Sequence, residues 1–323
     1  MGRYLIRRVL FGILVLWIIS VLTFVIFVKL PPGDPARRLA GKAATPENIE
    51  RIRTSLGLNE PIPVQYLKFA KGLVPLPGFW LDENVYYSYA NNVPVKDEIT
   101  ERLPVTAYLA IGGVILWLLI GIPTGIVSAV KRRSFADRAA MLFALLGVSL
   151  PSFWLGMVLI FVFFYQLGIA PPTGFNVGAS AWESMLSGKF ILAWIALAIT
   201  SAAFYARMVR GNMLEVLSED YTRTARAKGL TERRVIYKHG LRAALTPVVT
   251  MLGLDIAFLL GGAVITEQVF ALPGLGNYAL ESLTSTDYPG VMAVTILAAF
   301  FIVVANLVVD VLYAALDPRV RFT

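Results

Sequence analysis

The strongest constraint on this chain is a series of long apolar segments with few charges inside them. The first segment, from about Val9 to Val28, contains no charged residue. Of the 323 residues, 57% are hydrophobic and 15% are charged, with a mean hydropathy of +0.69, whereas soluble domains carry about a quarter charged residues. A soluble fold of this size has too little polar surface to cover so much apolar area. We therefore expect a lipid bilayer to act as the solvent.

Within a bilayer every backbone amide must be hydrogen-bonded inside the protein, which leaves α-helices and closed β-barrels as spanning structures. The apolar segments here are continuous and lack the alternating pattern of a barrel strand. The sequence therefore predicts an all-α membrane protein with six transmembrane helices. Their expected bounds are 9–28, 105–130, 139–166, 190–206, 243–266 and 290–316.

These helices divide the chain into three predicted regions. Residues 1–30 form an N-terminal helix whose apolar run is too long for a cleaved signal peptide and is followed by no small-x-small cleavage site, so we predict an uncleaved signal anchor. Residues 31–103 form the only long polar stretch and are predicted to be a small extracytoplasmic domain. Residues 104–323 form a core of five helices that includes a basic loop at 207–246.

The polar stretch contains a local helix signal, which favours an ordered domain over a loose linker. Thr45 is a suitable N-cap, Pro46 suits the first helical position, and Gly57 is a typical stop. A helix from 45 to 57 is therefore expected.

The basic residues predict the orientation of the chain in the membrane. Lys and Arg number three before the first helix, four between the second and third, one between the third and fourth, nine between the fourth and fifth, none between the fifth and sixth, and two after the sixth. Basic loops remain on the cytoplasmic side. Both termini are therefore expected in the cytoplasm, and residues 31–103 outside it.

Glycine and proline mark two features within the helices. Gly121 and Gly125 form a G-x-x-x-G pair in the second helix, with Pro123 between them, and this pair permits close contact with another helix. Pro151 lies inside the third predicted helix.

Several kinds of chemistry find no support in the sequence. The chain has no cysteine and only one histidine, His239, so thiolate and multi-histidine metal sites are not expected. It lacks a G-x-x-x-x-G-K-[ST] phosphate-binding loop and the G-x-S-x-G and H-E-x-x-H motifs of enzymes. No interleaved basic and aromatic patch suggests a nucleic-acid partner. We therefore expect a non-enzymatic protein without a cofactor or metal of its own.

The loop between the fourth and fifth helices contains two predicted short helices separated by Gly229. Ser218 can cap the first, whose first turn holds Glu219 and Asp220, and Thr231 can cap the second. A left-handed glycine suits the stop between them. A loop that only retains the chain in the cytoplasm needs scattered charges alone, so this pattern favours an element that docks on another protein.

At this loop the sequence resembles the EAA loop of ABC importer permeases, and in particular the first membrane subunit of the dipeptide/oligopeptide (peptide/nickel/oligosaccharide) transport family. Similar motifs follow in order along nearly the whole chain. The matching segments are Pro32-Gly33-Asp34-Pro35, Leu56-Gly57-Leu58 with Gln65-Tyr66, Tyr221 to Gly229 with Leu245-Thr246-Pro247, Glu267 to Gly276, and Asp317-Pro318-Arg319.

The resemblance implies a type I ABC importer permease fold and a transport mechanism. In that family the EAA segment is a coupling helix seated in a groove of a cytoplasmic ATPase. The implied partners are a second homologous permease, two P-loop ATPases that bind ATP and Mg, and an extracytoplasmic substrate-binding protein, all at the cytoplasmic (inner) membrane. The residues assigned to docking by this resemblance are Tyr221, Arg223, Thr224, Ala225, Ala227, Lys228 and Gly229.

Three acidic residues are candidates for the translocation pathway. Asp255 lies inside the fifth predicted helix and has no obvious partner, so pathway and packing roles remain equally open. Asp310 lies near the inner end of the sixth helix, where pairing with a basic residue of the cytoplasmic face is favoured. Glu267 follows the fifth helix and is expected at the outer surface, where it could contact the binding protein.

Alternative functions remain open at this level. The same machinery can import oligosaccharides or nickel. An ion-coupled secondary transporter would use Asp255 and Asp310, but it would be expected to show an inverted repeat, which the sequence lacks. A scaffold or insertase without small-molecule flux is a further alternative, and the glycine corner argues against it.

Overall fold

A computed structural model describes residues 2–30, 32–40, 45–73, 81, 86–88, 90–171, 173–174 and 181–316. The Asp317-Pro318-Arg319 motif lies outside the described residues. Four long helices dominate: α1 Gly2–Phe24, continued by a π-helical turn at Val25–Lys29, then α5 Val95–Val130, α9 Ile191–Ser218 and α16 Tyr288–Leu316.

Shorter elements connect the long helices. Between α1 and α5 lie α2 Pro35–Leu39, α3 Pro46–Leu56, α4 Ile62–Lys71 and the strands β1 Tyr87–Ser88 and β2 Val93–Pro94. Between α5 and α9 lie α6 Phe135–Ser149, α7 Ser152–Leu159 with a π-helical continuation Ile160–Gln166, and α8 Ala181–Leu186. After α9 come α10 Asp220–Ala227, α11 Glu232–Arg234 with the π-helical turn Val235–Gly240, α12 Leu241–Ala244, α13 Thr246–Leu260, α14 Val264–Val269 and α15 Leu275–Ser285.

The described part of the chain has four helices that are individually long and apolar enough to cross a membrane, and up to six spans if two bent helix pairs are each counted as one. The four are α1, α5, α9 and α16, and the bent pairs are α6 with α7 and the segment 232–244 with α13. The number of spans thus agrees with the prediction, although two of them are broken.

The third predicted helix is the clearest departure, because α6 and α7 are bent by 101°. Leu150 takes an extended conformation (φ −85°, ψ 128°) immediately before Pro151. A residue that precedes proline is disfavoured in the helical region, and proline itself has no N–H to donate. Pro151 therefore ends one helix and begins the next.

The fifth predicted helix has different bounds from those expected. It begins at Thr246, after a 48° bend from the preceding segment, and ends at Leu260. It ends there because Gly262 adopts φ +121°, a conformation that side chains other than hydrogen rarely permit.

The core of the bundle is the contact between α5 and α9, and it depends on the predicted G-x-x-x-G pair. A Cβ atom added at Gly121 would lie 3.0 Å from the Ala202 carbonyl oxygen, and one at Gly125 would lie 2.7 Å from that of Ala206. Even alanine would force the backbones apart. The two glycines therefore set the distance between the two helices.

The described part of the polar stretch after α1 contains three short helices and the two-stranded hairpin. The Thr45 hydroxyl accepts a hydrogen bond from the Asn48 amide, and Gly57 ends α3 in the left-handed conformation, as predicted. Tyr66 and Phe69 of α4 pack on Phe24 of α1, with ring centroids 5.7 and 5.5 Å away. These contacts fix α4 against one end of the first span.

Helix α5 begins at Val95, well before the expected start of the second span. Asp97 and Glu98 occupy its first turn, where acidic side chains complement the positive end of the helix dipole. The β1–β2 hairpin directly precedes it, with Tyr87 opposite Pro94. The polar region therefore continues into the second span without a break.

Candidate functional sites

The predicted pair of short helices is present, and we call residues 219–232 the basic corner. Helix α10 follows α9 after the extended residue Glu219. Gly229 then adopts φ +78°, and its amide donates to the Arg226 carbonyl at 2.9 Å. The left-handed glycine predicted from the sequence thus ends the helix and turns the chain toward α11.

Two side chains hold the basic corner in shape. Arg226 forms an ion pair with Glu232 at 3.1 Å across the glycine, and the Thr222 hydroxyl donates to the Leu217 carbonyl at 3.0 Å. The predicted side-chain caps of these two helices, Ser218 and Thr231, are not formed. Ser218 is the last residue of α9 and donates to the Glu215 carbonyl, while Thr231 stands at the N-cap position without a side-chain capping bond.

The outward face of α10 contains most of the residues assigned to docking. Ala225 is the exception, because it is only 6% exposed and faces the protein itself, together with buried Thr222 three residues earlier. Residues three apart share one face of a helix, and this face packs against the body of the chain. The assignment of Ala225 to a partner surface is therefore wrong. The exposed members are Tyr221, Arg223, Thr224, Ala227, Lys228 and Gly229.

Asp255 lines a cavity of about 420 Å³ inside the bundle. The walls come from α5, α6, α9 and α13, and they combine aromatic and aliphatic side chains with a few hydroxyl groups. Phe258 lies at the rim and is 73% exposed, so the cavity is open to the surroundings of the isolated chain. The lining residues are Trp117, Val148, Leu197, Thr200, Ser201, Phe204, Tyr205, Met251, Asp255, Phe258 and Leu259.

The structure also gives Asp255 a partner that the sequence did not indicate. The Tyr205 hydroxyl of α9 donates a hydrogen bond of 2.6 Å to the Asp255 carboxylate of α13. Trp117 packs beside Tyr205, with ring centroids 5.9 Å apart, and its indole nitrogen has no acceptor among the described residues. A carboxylate and an unused donor therefore occur in the lining of one cavity.

Glu267 is buried, which contradicts its expected position at the outer surface. Its side chain is 0% exposed, and its carboxylate accepts hydrogen bonds from the Thr106 hydroxyl and the Asn277 amide, each at 2.8 Å. Burial raises the pKa of Glu267, while these hydrogen bonds oppose that rise. Glu267 organises what we call the buried turn, residues 262–287, instead of meeting a partner.

Asp310 follows the favoured sequence interpretation. It forms an ion pair of 3.1 Å with Arg8 of α1, near the end where α1 begins and α16 ends. The pair links two spans, as expected for an acidic residue near the membrane surface.

One polar centre was missed by the sequence interpretation. Asp137 is buried at the start of α6, where it accepts hydrogen bonds from Ser128 at 2.6 Å, from the Arg133 amide at 2.8 Å and from Arg210 of α9 at 2.8 and 3.1 Å. Ser134-x-x-Asp137 is a readable helix-start signal. No local pattern indicates the pairing with Arg210, which lies 73 residues away.

Two family models match the chain. The model described as "Binding-protein-dependent transport system inner membrane component" matches residues 121–322. The model for the N-terminal part of such membrane components matches residues 1–110. The two matches together include the polar region, the basic corner and all of the cavity lining except Trp117, which lies between the two matched ranges.

Individual relatives and one solved structure agree with these matches. The chain is 42% identical over 322 residues to proteins named "Glutathione transport system permease protein GsiC" from Escherichia coli strain K12 and Shigella boydii serotype 4, covering 100% of both chains in each case. A chain from inward-facing structures of the MetNI methionine ABC transporter superposes with a TM-score of 0.54 at 18% identity. It covers 69% of this chain and 98% of that one, and at this identity the likeness concerns the fold.

Proposed function

The chain belongs to the family of binding-protein-dependent transport system inner membrane components and is an ABC importer permease with a type I fold, and we propose that it passes di- or oligopeptides. It is a multi-pass inner-membrane protein. We further propose that both of its termini lie in the cytoplasm, because the most basic loops then share that side.

The observation that carries the peptide proposal is the full-length similarity to glutathione permeases, since glutathione is a tripeptide. Oligosaccharides and nickel are the alternatives within the same family. Membership in an ABC importer family favours ATP-driven transport over the ion-coupled alternative.

The basic corner is proposed to dock on a cytoplasmic ATPase. Its outward residues are exposed, and its inward residues Thr222 and Ala225 bind it to the rest of the chain. A short helix that packs against its own chain on one face and exposes the opposite face can fill a groove in another protein. The proposed complex contains a second homologous permease, two P-loop ATPases that hold ATP and Mg, and an external substrate-binding protein.

Among the three acidic candidates, we propose only Asp255 for the translocation pathway. It lines an open cavity, whereas Asp310 is engaged by Arg8 and Glu267 is enclosed in the buried turn. Asp310 and Glu267 then act by fixing helices and loops.

The substrate proposal is tested by uptake into proteoliposomes that contain the complete complex and its binding protein. Labelled glutathione, tri-alanine, maltotriose and Ni²⁺ are compared with and without ATP. We expect ATP-dependent uptake of at least one of the two peptides. Uptake of maltotriose or Ni²⁺ alone would contradict the proposal.

The docking proposal is tested with a matched pair of charge reversals. Arg223 on α10 and Arg51 on α3 both lie on exposed helix faces, with side chains 70% and 58% exposed, and each pairs with a nearby carboxylate on its own helix. We expect Arg223→Glu to reduce ATPase co-purification at least tenfold and Arg51→Glu to leave it unchanged. Equal recovery of the ATPase with both variants would contradict docking at α10.

Gly229→Pro tests the geometry of the corner. Proline fixes φ near −65°, far from +78°, and removes the amide that bonds to Arg226. We expect membrane insertion to persist while ATP-driven transport is lost. Normal transport by Gly229→Pro would show that the corner does not aim a docking helix.

A further inference from the structure

We propose that the cavity between α5, α6, α9 and α13 binds the protonated amino group of the transported molecule, with Asp255 as its counter-charge. This inference rests on the proposed function, because it specifies how a peptide is recognised inside the permease. It assigns a chemical class of ligand, an organic ammonium ion, to a cavity that is otherwise only a candidate part of the translocation pathway.

The first argument is the charge that the cavity leaves uncompensated. Asp255 is half-buried within a membrane span, where a carboxylate is costly unless it meets a partner. Its only hydrogen-bond partner among the described residues is the Tyr205 hydroxyl, and no lysine or arginine of that part of the chain forms an ion pair with it. A positively charged ligand would supply the missing partner.

The second argument is that helix packing does not require the charge. The hydrogen bond from Tyr205 joins α9 to α13 and uses a single oxygen of Asp255, at 2.6 Å. A neutral amide of the same shape could accept that bond equally well. The second carboxylate oxygen has no hydrogen-bond partner among the described residues and is therefore available to a ligand.

The third argument is that the rest of the lining suits an organic cation better than a bare metal ion. Hard metal ions prefer to be surrounded by several oxygen ligands. Here the carboxylate is accompanied by the hydroxyl groups of Thr200 and Ser201, while much of the remaining wall is aromatic or aliphatic, including Phe204 and Phe258. Aromatic faces attract ammonium groups, and apolar walls accommodate the body that bears them.

The fourth argument is the volume of the cavity and the presence of a second polar group that can bind a peptide. A volume of about 420 Å³ lies within the range of about 300–1,000 Å³ that is usual for small-ligand pockets. The Trp117 side chain belongs to the same lining, and its indole nitrogen is buried without an acceptor among the described residues, so a rotation of this side chain toward the cavity would let it donate to a peptide carbonyl. An amino group followed by a peptide carbonyl is what an α-linked peptide with a free amino terminus, such as tri-alanine, presents.

The test is ATP-driven uptake into proteoliposomes of tri-alanine and glutathione, each compared with its N-acetylated form. The reconstituted complex contains either the natural chain or Asp255→Asn, which preserves an acceptor for Tyr205 but removes the charge. The same binding protein is used throughout, so its own preference cancels between the two complexes. We expect Asp255→Asn to slow uptake of the free-amine peptides at least tenfold and to change uptake of the acetylated forms less than twofold.

Two further variants separate recognition from folding. Asp255→Glu retains the charge and should retain the preference for free amines. Ser201→Lys leaves Asp255 in place but supplies an internal ammonium, so it should remove the preference even if Asp255→Asn fails to assemble. Assembly and ATPase activity without peptide are measured for each complex.

The possible outcomes have distinct meanings. An equal effect of Asp255→Asn on free and acetylated peptides, or no effect on either, would overturn the inference and leave the proposed function intact. Failure of the natural complex to take up any of the four compounds would contradict the proposed peptide function itself. Dependence of Asp255 variants on Na⁺ or K⁺ instead of the amino group would assign the carboxylate to an inorganic cation and also overturn the inference.

Discussion

The basic corner and the buried turn both redirect the chain at glycines, but in opposite surroundings. At Gly229 an added Cβ would meet nothing within 4 Å, and the need for glycine comes from φ +78°. At Gly276 an added Cβ would lie 2.7 Å from the Val264 amide nitrogen, so the need for glycine comes from the close approach of two backbones. One turn presents its residues outward, whereas the other closes around Glu267.

The difference shows that a recognisable sequence motif does not indicate whether its residues face solvent or the interior of the protein. Both segments contain glycines and charged residues, and both contribute to the family resemblance. In the basic corner the charges pair with each other at the surface, as Arg226 does with Glu232. In the buried turn the Glu267 side chain accepts hydrogen bonds from the backbone and from α5. The four predictions below test this contrast, from the largest expected effect to the smallest.

Gly276→Ala should give the largest loss of stability. The new methyl group would press against the backbone of Val264, which has little freedom to move, so we expect a cost at the upper end of overpacking effects, more than about 3 kcal/mol. Gly229→Ala is the matched control, with open space around it and only a left-handed backbone penalty of about 1 kcal/mol. Thermal unfolding of the purified complex measures both. Similar losses for the two variants would remove the contrast.

The second prediction concerns pH and the end of the buried turn. Asp287 is only 3% exposed, and burial raises its pKa to about 6 against the opposing effect of Ser88, with the Glu98 carboxylate adding to the rise. The folded protein therefore holds a proton that the unfolded chain releases near pH 4. Stability should fall as pH rises from about 4 to 6, by roughly 3 kcal/mol in total, and remain lower above pH 6.

Asp287→Asn is the variant that checks this pH dependence. It should flatten the stability profile between pH 4 and 6 and leave the complex more stable than the natural one at pH 7. Thermal unfolding between pH 4 and 8 provides the measurement. A natural profile that rises through this range would show that Asp287 is ionised in the fold and stabilised by a partner.

Thr106→Val should have an intermediate effect. The Thr106 hydroxyl donates to Glu267 and accepts from the Leu275 amide, each at 2.8 Å, so it links α5 to the buried turn. Valine has the same shape but leaves the Leu275 amide without its acceptor, for a cost of about 2 kcal/mol. Thr224→Val on the exposed face of α10 is the control and should cost less. Unchanged stability of Thr106→Val would mean that the buried turn is held by packing alone.

Arg226→Ala should have the smallest effect on stability. Arg226 and Glu232 are both exposed to solvent, and surface ion pairs contribute about 0.5 kcal/mol. We expect little change in the free energy of unfolding. Binding of the ATPase should become weaker, because the ion pair that fixes the angle between α10 and α11 is lost. A large loss of stability with normal ATPase binding would assign Arg226 to the fold and not to the interface.

The sequence predicted the elements whose causes are local. Thr45, Pro46 and Gly57 bound α3 as expected, and the apolar segments correspond to the long helices and bent pairs. The 101° bend was not predicted, because Pro151 is compatible with either a kink or a complete break. Which of the two occurs depends on the packing of α6 and α7 against α9, and no local pattern records that packing.

The candidate sites were predicted less completely for the same reason. Gly229 and its left-handed turn follow from local chemistry. The burial of Ala225 and Glu267 and the contacts of Asp255 with Tyr205 and of Asp137 with Arg210 join residues that are far apart in the sequence. Charge and spacing place such residues on an element, but only the packed structure determines which way they face.

The continuity of α9 has a mechanical consequence. This helix contributes Tyr205 to the cavity and ends at Ser218, and only Glu219 lies between it and α10. Thirteen residues of unbroken α-helix span about 20 Å and bend little, so the segment acts as a lever arm. A tilt of about 10° with its pivot at Ser218 would swing Tyr205 by about 3 Å, a distance comparable to the length of a hydrogen bond. A small rotation imposed where the ATPase is proposed to sit would thus separate Tyr205 from Asp255 and change the hydrogen bonding of the carboxylate in the cavity.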